Sequence, residues 1–116
     1  MEMNHPAAQL NGKIGKYQMV LEEVRPGEKD IATFQVKCGG ESRPLDVRGS
    51  RDEFAQPEFQ HRVKEVVELW LDNKVVCGFC QAGLIDEFNF LPKFVSGHCA
   101  KCNQRFTVSM GRAKPR

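Results

Sequence analysis

No stretch of this sequence is apolar for 18 residues or more, and none carries a familiar catalytic or nucleotide-binding motif. The first absence excludes a transmembrane helix. The second covers H-E-x-x-H, the Walker loop, G-x-G-x-x-G and the nucleophile elbow. The N-terminal residues also lack the apolar region of a secretory signal. We therefore expect a protein that is not an enzyme, that has no small-molecule substrate and that does not associate with a membrane.

The composition is that of an ordinary globular chain, but its charge is unevenly distributed. The 116 residues are 41% hydrophobic and 28% charged, which suits one domain, or a small domain with a metal-stabilised extension. Residues 1–73 carry 10 Lys/Arg against 13 Asp/Glu, whereas residues 74–116 carry 7 against 2. A basic C-terminal third favours an anionic partner.

The cysteines form the strongest pattern in the sequence. Four of the five lie in two C-x-x-C pairs, Cys77/Cys80 and Cys99/Cys102, with 18 residues between the pairs. Each pair allows two sulfurs of one tight turn to reach the same ion, so the spacing predicts a structural, four-cysteine Zn²⁺ site. The odd count and the metal-type spacing favour a reducing compartment, and we expect a cytoplasmic protein.

Residues 1–73 have the pattern of a small sheet covered by one helix. We expect a flexible N-terminus over residues 1–15 and strands at 16–24 and 31–38. A short third strand follows near Leu45, and Pro44 would place it at a sheet edge. Pro57 suits the first turn of a helix over 58–72, whose apolar positions recur every three or four residues, namely Phe59, Val63, Val66, Val67 and Trp70. The prediction for 16–73 is a three-stranded antiparallel meander packed by one amphipathic helix, with Phe59 and Trp70 against Phe34 and Val36.

The remainder of the chain has the pattern of short strands around the cysteine pairs. We expect a strand at 74–76, a hairpin from 84–90 and 94–96, a last strand at 105–110, and a basic tail over 111–116. The fold class is therefore α+β, with the cysteine-bearing segment following the meander and helix.

Residues 74–110 resemble a zinc ribbon, in which two hairpins each carry a C-x-x-C turn, or knuckle, on one ion. The resemblance rests on Cys77, Cys80, Cys99 and Cys102 and on the strand that begins near Phe106. Zinc ribbons often have Gly just after the first knuckle, whereas Gln81 stands there in this chain. The resemblance implies two hairpins that are cross-linked by one metal ion, as found in many transcription, translation and replication proteins.

Three other uses of these cysteines stay open on sequence alone. Cys77 and Cys80 could form a thioredoxin-type redox dithiol, which normally opens a long helix. The four cysteines could instead form two disulfides or hold an iron–sulfur cluster. His98 could replace one thiolate as a ligand, or hydrogen-bond to a thiolate from outside the ligand set.

The basic residues around and after the cysteines are the candidates for nucleic-acid contacts. Lysine and arginine bind phosphates without reading sequence, and the candidates are Lys93, Lys101, Arg105, Arg112 and Lys114. Exposed aromatic rings could stack on unpaired bases. Because a segment this short must bury most of its rings, we expect one or two exposed among Phe79, Phe88, Phe90, Phe94 and Phe106.

The favoured function is therefore a non-catalytic regulator that binds nucleic acid, transcription machinery or another nucleic-acid-processing protein. The rival interpretation is an adaptor or inhibitor of a host or pathway protein, acting through the acidic helix surface or an exposed sheet edge. A redox protein that uses Cys77 and Cys80 is the third interpretation.

Overall fold

The structure is a computed structural model, and it describes residues 5–108. Seven strands and two α-helices follow a short 3-10 helix at Pro6–Leu10. The strands are β1 Gly12–Ile14, β2 Tyr17–Arg25, β3 Asp30–Cys38, β4 Glu41–Gly49, β5 Ile85–Phe90, β6 Val95–Cys99 and β7 Arg105–Val108. The helices are α1 Arg51–Phe54 and α2 Pro57–Leu71.

All seven strands form one sheet, in the same order as in the sequence. Neighbouring strands are antiparallel except β4 and β5, which pair in parallel with Val47 opposite Phe88. Parallel neighbours cannot be joined by a tight turn and need a crossover. The chain between Gly49 and Ile85 makes this crossover and carries both helices and the first cysteine pair.

The fold class α+β is confirmed, but the three-stranded meander is wrong. Strands β2, β3 and β4 do form an antiparallel meander, and it lies within a seven-stranded sheet. The expected edge position of the third strand is also wrong, because β4 lies between β3 and β5. Pro44 is tolerated there because the parallel pairing covers only Asp46, Val47 and Arg48.

Helix α2 agrees with the prediction in its position and in its buried residues, and it packs on the apolar face of the sheet. Its buried residues are Phe59, Val63, Val66, Val67, Trp70 and Leu71. The predicted contacts of Phe59 and Trp70 with Phe34 and Val36 stay a prediction. Phe59 packs edge-on against Phe90 with ring centroids 5.4 Å apart, and Trp70 packs against Phe88 at 6.0 Å. The helix therefore meets β5 as well as the meander, because β5 lies beside β4 at the centre of the sheet.

The short helix α1 lies between the third strand and the helix of the sequence prediction, where no regular element was expected. The Ser50 side chain accepts a hydrogen bond from the backbone N–H of Glu53, and the Glu53 carboxylate accepts one from the backbone N–H of Ser50. This reciprocal capping box starts the helix. Burial acts to raise the pKa of Glu53, but the Ser50 N–H and Lys29 outweigh it and lower that pKa.

The residues before β1 are part of the core, where the sequence predicted a loose terminus. Ala7 and Leu10 of the 3-10 helix are fully buried. The His5 ring caps this helix, because its Nδ1 accepts a hydrogen bond from the Ala7 N–H. Its Nε2 then carries the proton and donates to Asp30 Oδ2 at 2.8 Å, which ties the start of the chain to β3.

The expected strand at residues 74–76 does not form. These residues leave α2 without regular structure, with Val75 buried and Val76 37% exposed. A short apolar run fits an extended connection as well as a strand, so periodicity alone does not separate the two. Within residues 5–108, no helix has the length and apolar character needed to cross a membrane.

Candidate metal centre

The first knuckle is a tight turn whose N–H groups converge on one sulfur. The Cys77 N–H donates to the Ala82 carbonyl at 2.8 Å, and the Gln81 N–H donates to the Cys77 carbonyl at 3.0 Å. Two further N–H groups, of Phe79 and Cys80, point at Cys77 Sγ at 3.3 and 3.5 Å. Gln81 closes the turn with a left-handed φ of 63°.

The second knuckle repeats this arrangement position by position. The Cys99 N–H donates to the Gln104 carbonyl at 2.9 Å, and the Asn103 N–H donates to the Cys99 carbonyl at 2.9 Å. The N–H groups of Lys101 and Cys102 point at Cys99 Sγ at 3.3 and 3.4 Å. Asn103 has φ 65°. The two turns are therefore equivalent, as the zinc-ribbon resemblance implies.

The two knuckles bring all four sulfurs together. Every Sγ of Cys77, Cys80, Cys99 and Cys102 lies within 4.8 Å of the others. Two of these approaches join different knuckles, at 3.6 Å for Cys77–Cys102 and 3.6 Å for Cys80–Cys99. Four sulfurs about 2.3 Å from a central ion lie about 3.8 Å apart in a regular tetrahedron. The cluster has the size of a tetrathiolate metal site.

The electrostatics of the cluster also suit a cation. Hydrogen bonds from the N–H groups of Cys102 and Lys101 lower the pKa of Cys99 to about 6. Burial raises the pKa of Cys102 to about 12. Four thiolates this close repel one another, so they ionise together only when a cation compensates their charge. Both buried sulfurs, Cys77 and Cys99, lie on the protein side of the cluster.

The first knuckle does not have the setting of a thioredoxin-type dithiol. Such a motif opens a helix, whereas Cys80 is followed by the left-handed Gln81 and then by a connection to β5. Cys80 Sγ also lies 3.6 Å from Cys99 Sγ on the other knuckle. A shared ion explains this geometry, and a redox pair within Cys77 and Cys80 does not.

His98 supports the second knuckle and is not placed as a ligand. Its Nδ1 lies 2.8 Å from Asp86 Oδ1, and its Nε2 lies 2.7 Å from Asn103 Oδ1. The hydrogen bond to Asp86, and then that to Asn103, raise the pKa of His98. The ring thereby holds the side chain of the left-handed Asn103.

The carbonyl of Gly83, just after the first knuckle, joins that knuckle to the helix and the sheet. It accepts a hydrogen bond from the indole N–H of Trp70 at 3.1 Å and another from Arg43 at 3.2 Å. The Arg43 guanidinium also stacks on the Trp70 ring, 4.4 Å from its centroid. The sequence did not predict this anchor; its only signal was the single Trp of the chain on the apolar helix face.

The three predicted phosphate-binding residues that the structure describes, Lys93, Lys101 and Arg105, do not form one cluster. Lys101 is exposed on the second knuckle, whereas Lys93 lies in the β5–β6 turn at the other end of β6. Those ends are about 13 Å apart for a five-residue strand. Arg105 lies on β7 and pairs with Glu87 at 3.0 Å. Arg112 and Lys114 lie outside the described residues.

Two of the five phenylalanines singled out in the sequence are exposed, as expected. Phe79 on the first knuckle is 63% exposed and Phe94 in the β5–β6 turn is 41% exposed, whereas Phe88 and Phe90 lie in the core. Phe106 is half-buried, and its ring lies over a glycine on the neighbouring strand β6. Phe79 is therefore the one exposed ring on a knuckle among these five.

The geometry places four cysteines close enough together to hold a metal ion, in an arrangement similar to that of a zinc ribbon, at one end of a seven-stranded sheet. No family model, no curated protein and no solved structure matches the chain. The function must therefore be argued from the site itself.

We expect Gln81→Gly to stabilise the metal-bound protein by about 1 kcal/mol, because a left-handed residue other than glycine costs about 1–2 kcal/mol. Urea unfolding in the presence of metal measures the change. Asn103→Gly is the matched control: it relieves the same conformation but removes the hydrogen bond to His98, so it should gain less. A loss of stability in Gln81→Gly would contradict the interpretation of this turn.

Proposed function

We propose that this protein holds a structural Zn²⁺ ion and uses the two knuckles to bind single-stranded nucleic acid without catalysis. The observation that supports the binding role is the equivalence of Phe79 and Lys101. Each is the third residue of its C-x-x-C turn, and both side chains are exposed. The metal end of the molecule thus presents a ring and a cation from two turns that share one ion.

Zinc is the metal that the donor set favours. Four cysteine sulfurs in a tetrahedral arrangement form a closed structural zinc site, with no position left for water or substrate. When bound, the ion supplies charge compensation for four thiolates and a cross-link between the two knuckles. The role of the metal is then to hold the binding surface, which agrees with a protein that is not an enzyme.

The exposed groups suit a flexible, unpaired strand. An exposed ring such as Phe79 stacks on any base, and such stacking contributes about 1–3 kcal/mol. Lys101 would neutralise a phosphate on the same strand and make binding sensitive to salt. This pair favours sequence-tolerant binding by a regulator of a nucleic-acid process.

A protein partner is the second candidate, because apolar side chains surround the first knuckle. Leu84 is 53% exposed and Val76 is 37% exposed, and both lie within five residues of Phe79. Such a surface favours an adaptor that docks on a host or pathway protein. A pull-down in which one partner survives nuclease treatment would support this candidate over the first.

Binding to a labelled ten-nucleotide uridine RNA, followed by fluorescence anisotropy at low salt, tests the first candidate. Phe79→Ala should weaken binding about 5- to 100-fold, from the stacking contribution. Lys101→Ala should lower the salt slope by about 0.7, the value for one phosphate of a single strand. Lys64→Ala is the matched control for charge, because Lys64 is exposed on α2 and belongs to neither knuckle.

The control should bind like the wild type. The proposal fails if the wild type does not bind at low salt, or if Lys64→Ala lowers the salt slope as much as Lys101→Ala.

A further inference from the structure

The face of the sheet opposite α2 carries two rows of polar side chains across strands β4 to β7. In the first row, Asp46 is paired with Glu87, Glu87 with His98 and His98 with Arg105; we call it the charged row. In the second, two residues away on each strand, the register joins Arg48, Asn89, Ser96 and Thr107; we call it the Arg48 row.

The carboxylates of the charged row already have hydrogen-bond or ion-pair partners within the protein. Asp46 accepts hydrogen bonds from Arg25 at 3.0 Å and Thr33 at 2.8 Å. Glu87 pairs with Arg105 at 3.0 Å. These contacts occupy the carboxylates, so this row offers little to a ligand.

The Arg48 row is different, because its polar groups have no protein partner. Within residues 5–108, the side chains of Arg48, Asn89 and Ser96 make no hydrogen bond or ion pair with other residues. All three are half-buried, so they are partly shielded from water. A half-buried guanidinium without a carboxylate is costly to leave unpaired.

These three side chains line a hollow of about 430 Å³ on this face of the sheet. Lys29, Arg105 and Glu28 also border it, but Lys29 is paired with Glu53 at 3.2 Å and Arg105 with Glu87 at 3.0 Å. Arg48 is therefore the cation that the hollow offers to a ligand, and with Asn89 and Ser96 it supplies a guanidinium fork, an amide and a hydroxyl as hydrogen-bond donors. A guanidinium favours oxyanions that accept two parallel hydrogen bonds, above all phosphate and carboxylate.

We propose that this hollow binds a phosphate group of a nucleic-acid backbone, with Arg48 as the principal contact and Asn89 and Ser96 as neutral donors. The choice of a polynucleotide as the source of the phosphate rests on the proposed function above. The volume suits a nucleotide unit and is larger than one phosphate needs. Ser96 lies on β6 three residues before Cys99, about 10 Å along the strand, so one bound strand would reach both the hollow and the second knuckle.

An NMR titration with three probes tests the site: inorganic phosphate, uridine 5′-monophosphate and the ten-nucleotide uridine RNA. Each should shift the amide signals of Asn89 and Ser96, and the RNA should bind tightest. Arg48→Gln should weaken RNA binding about tenfold, the change for a loss of about 1.4 kcal/mol. Ser96→Ala leaves the net charge unchanged and should still weaken RNA binding, although by less than Arg48→Gln does.

Lys64→Gln is the matched control, because it removes the same charge from the exposed side of α2 and should leave RNA affinity almost unchanged. The near-ultraviolet spectrum of each variant shows that its core is intact. Equal weakening by Lys64→Gln and Arg48→Gln would overturn the site in favour of general charge attraction.

The remaining outcomes separate the site from the proposed function. RNA binding that Arg48→Gln leaves unchanged would overturn the site and leave the function standing. If phosphate and the nucleotide shift the signals of Asn89 and Ser96 but the RNA binds no more tightly than they do, the phosphate site is supported and the nucleic-acid function is overturned. If no probe shifts any amide signal of the protein, both the site and the proposed function are overturned.

Discussion

Cys99→Ser is expected to abolish tight metal binding and to unfold the whole sheet rather than the second knuckle alone. Cys99 ends β6, its side chain is fully buried, and β6 lies between β5 and β7 in the sheet. A structural zinc ion contributes on the order of 10–16 kcal/mol at neutral pH in small zinc domains. A domain of this size has about 5–15 kcal/mol of net stability, so the protein would keep little or no net stability after loss of the ion.

Two measurements on the same samples check this expectation. Metal content is determined after dialysis, and thermal unfolding is followed by far-ultraviolet circular dichroism and by the fluorescence of Trp70. Because Trp70 packs on Phe88 of β5, its signal should change together with the dichroism. Cys38→Ser is the matched control and should keep both metal and melting temperature nearly unchanged, since Cys38 lies outside the cluster. Retained metal in Cys99→Ser, or a folded meander that melts separately, would contradict the prediction.

The sequence predicted those features that are encoded by neighbouring residues. Helix α2 was recoverable because Pro57 and the three-to-four spacing of its apolar residues act within one segment. The alternation in β3 was recoverable for the same reason. The four cysteines could be predicted as one site because each C-x-x-C turn is formed by neighbouring residues. Only the approach of the two turns to each other depends on distant parts of the chain.

The sheet could not be predicted as a whole, because its central pairing joins distant residues. No local sequence pattern near Val47 or Phe88 indicates that β4 and β5 are neighbours, because the crossover between them contains both helices and the first knuckle. Without that pairing, Pro44 was interpreted as an edge signal. The Arg48 row could not be predicted for the same reason. Its residues lie on the outer face of each strand, and only the pairing register of the strands brings them together.

The second large effect is expected at Trp70, the residue that couples the helix to the first knuckle. Trp70→Ala should destabilise the metal-bound protein by about 3–5 kcal/mol, the usual cost of deleting a buried aromatic side chain. The change removes the packing on Phe88, the stacking of Arg43 and the hydrogen bond to the Gly83 carbonyl. Urea unfolding in excess zinc, followed by circular dichroism, measures the loss.

Trp70→Phe separates packing from anchoring. It keeps a ring against Phe88 but removes the indole N–H, so Gly83 retains only the bond from Arg43. We expect a loss of about 1–3 kcal/mol from the hydrogen bond and the smaller ring, together with weaker zinc binding in a chelator competition. Glu68→Ala, an exposed change on the same helix, should alter neither quantity by more than about 0.5 kcal/mol. If Trp70→Phe lowered stability without lowering zinc affinity, the ring would act in the core alone and the first knuckle would be positioned without the helix.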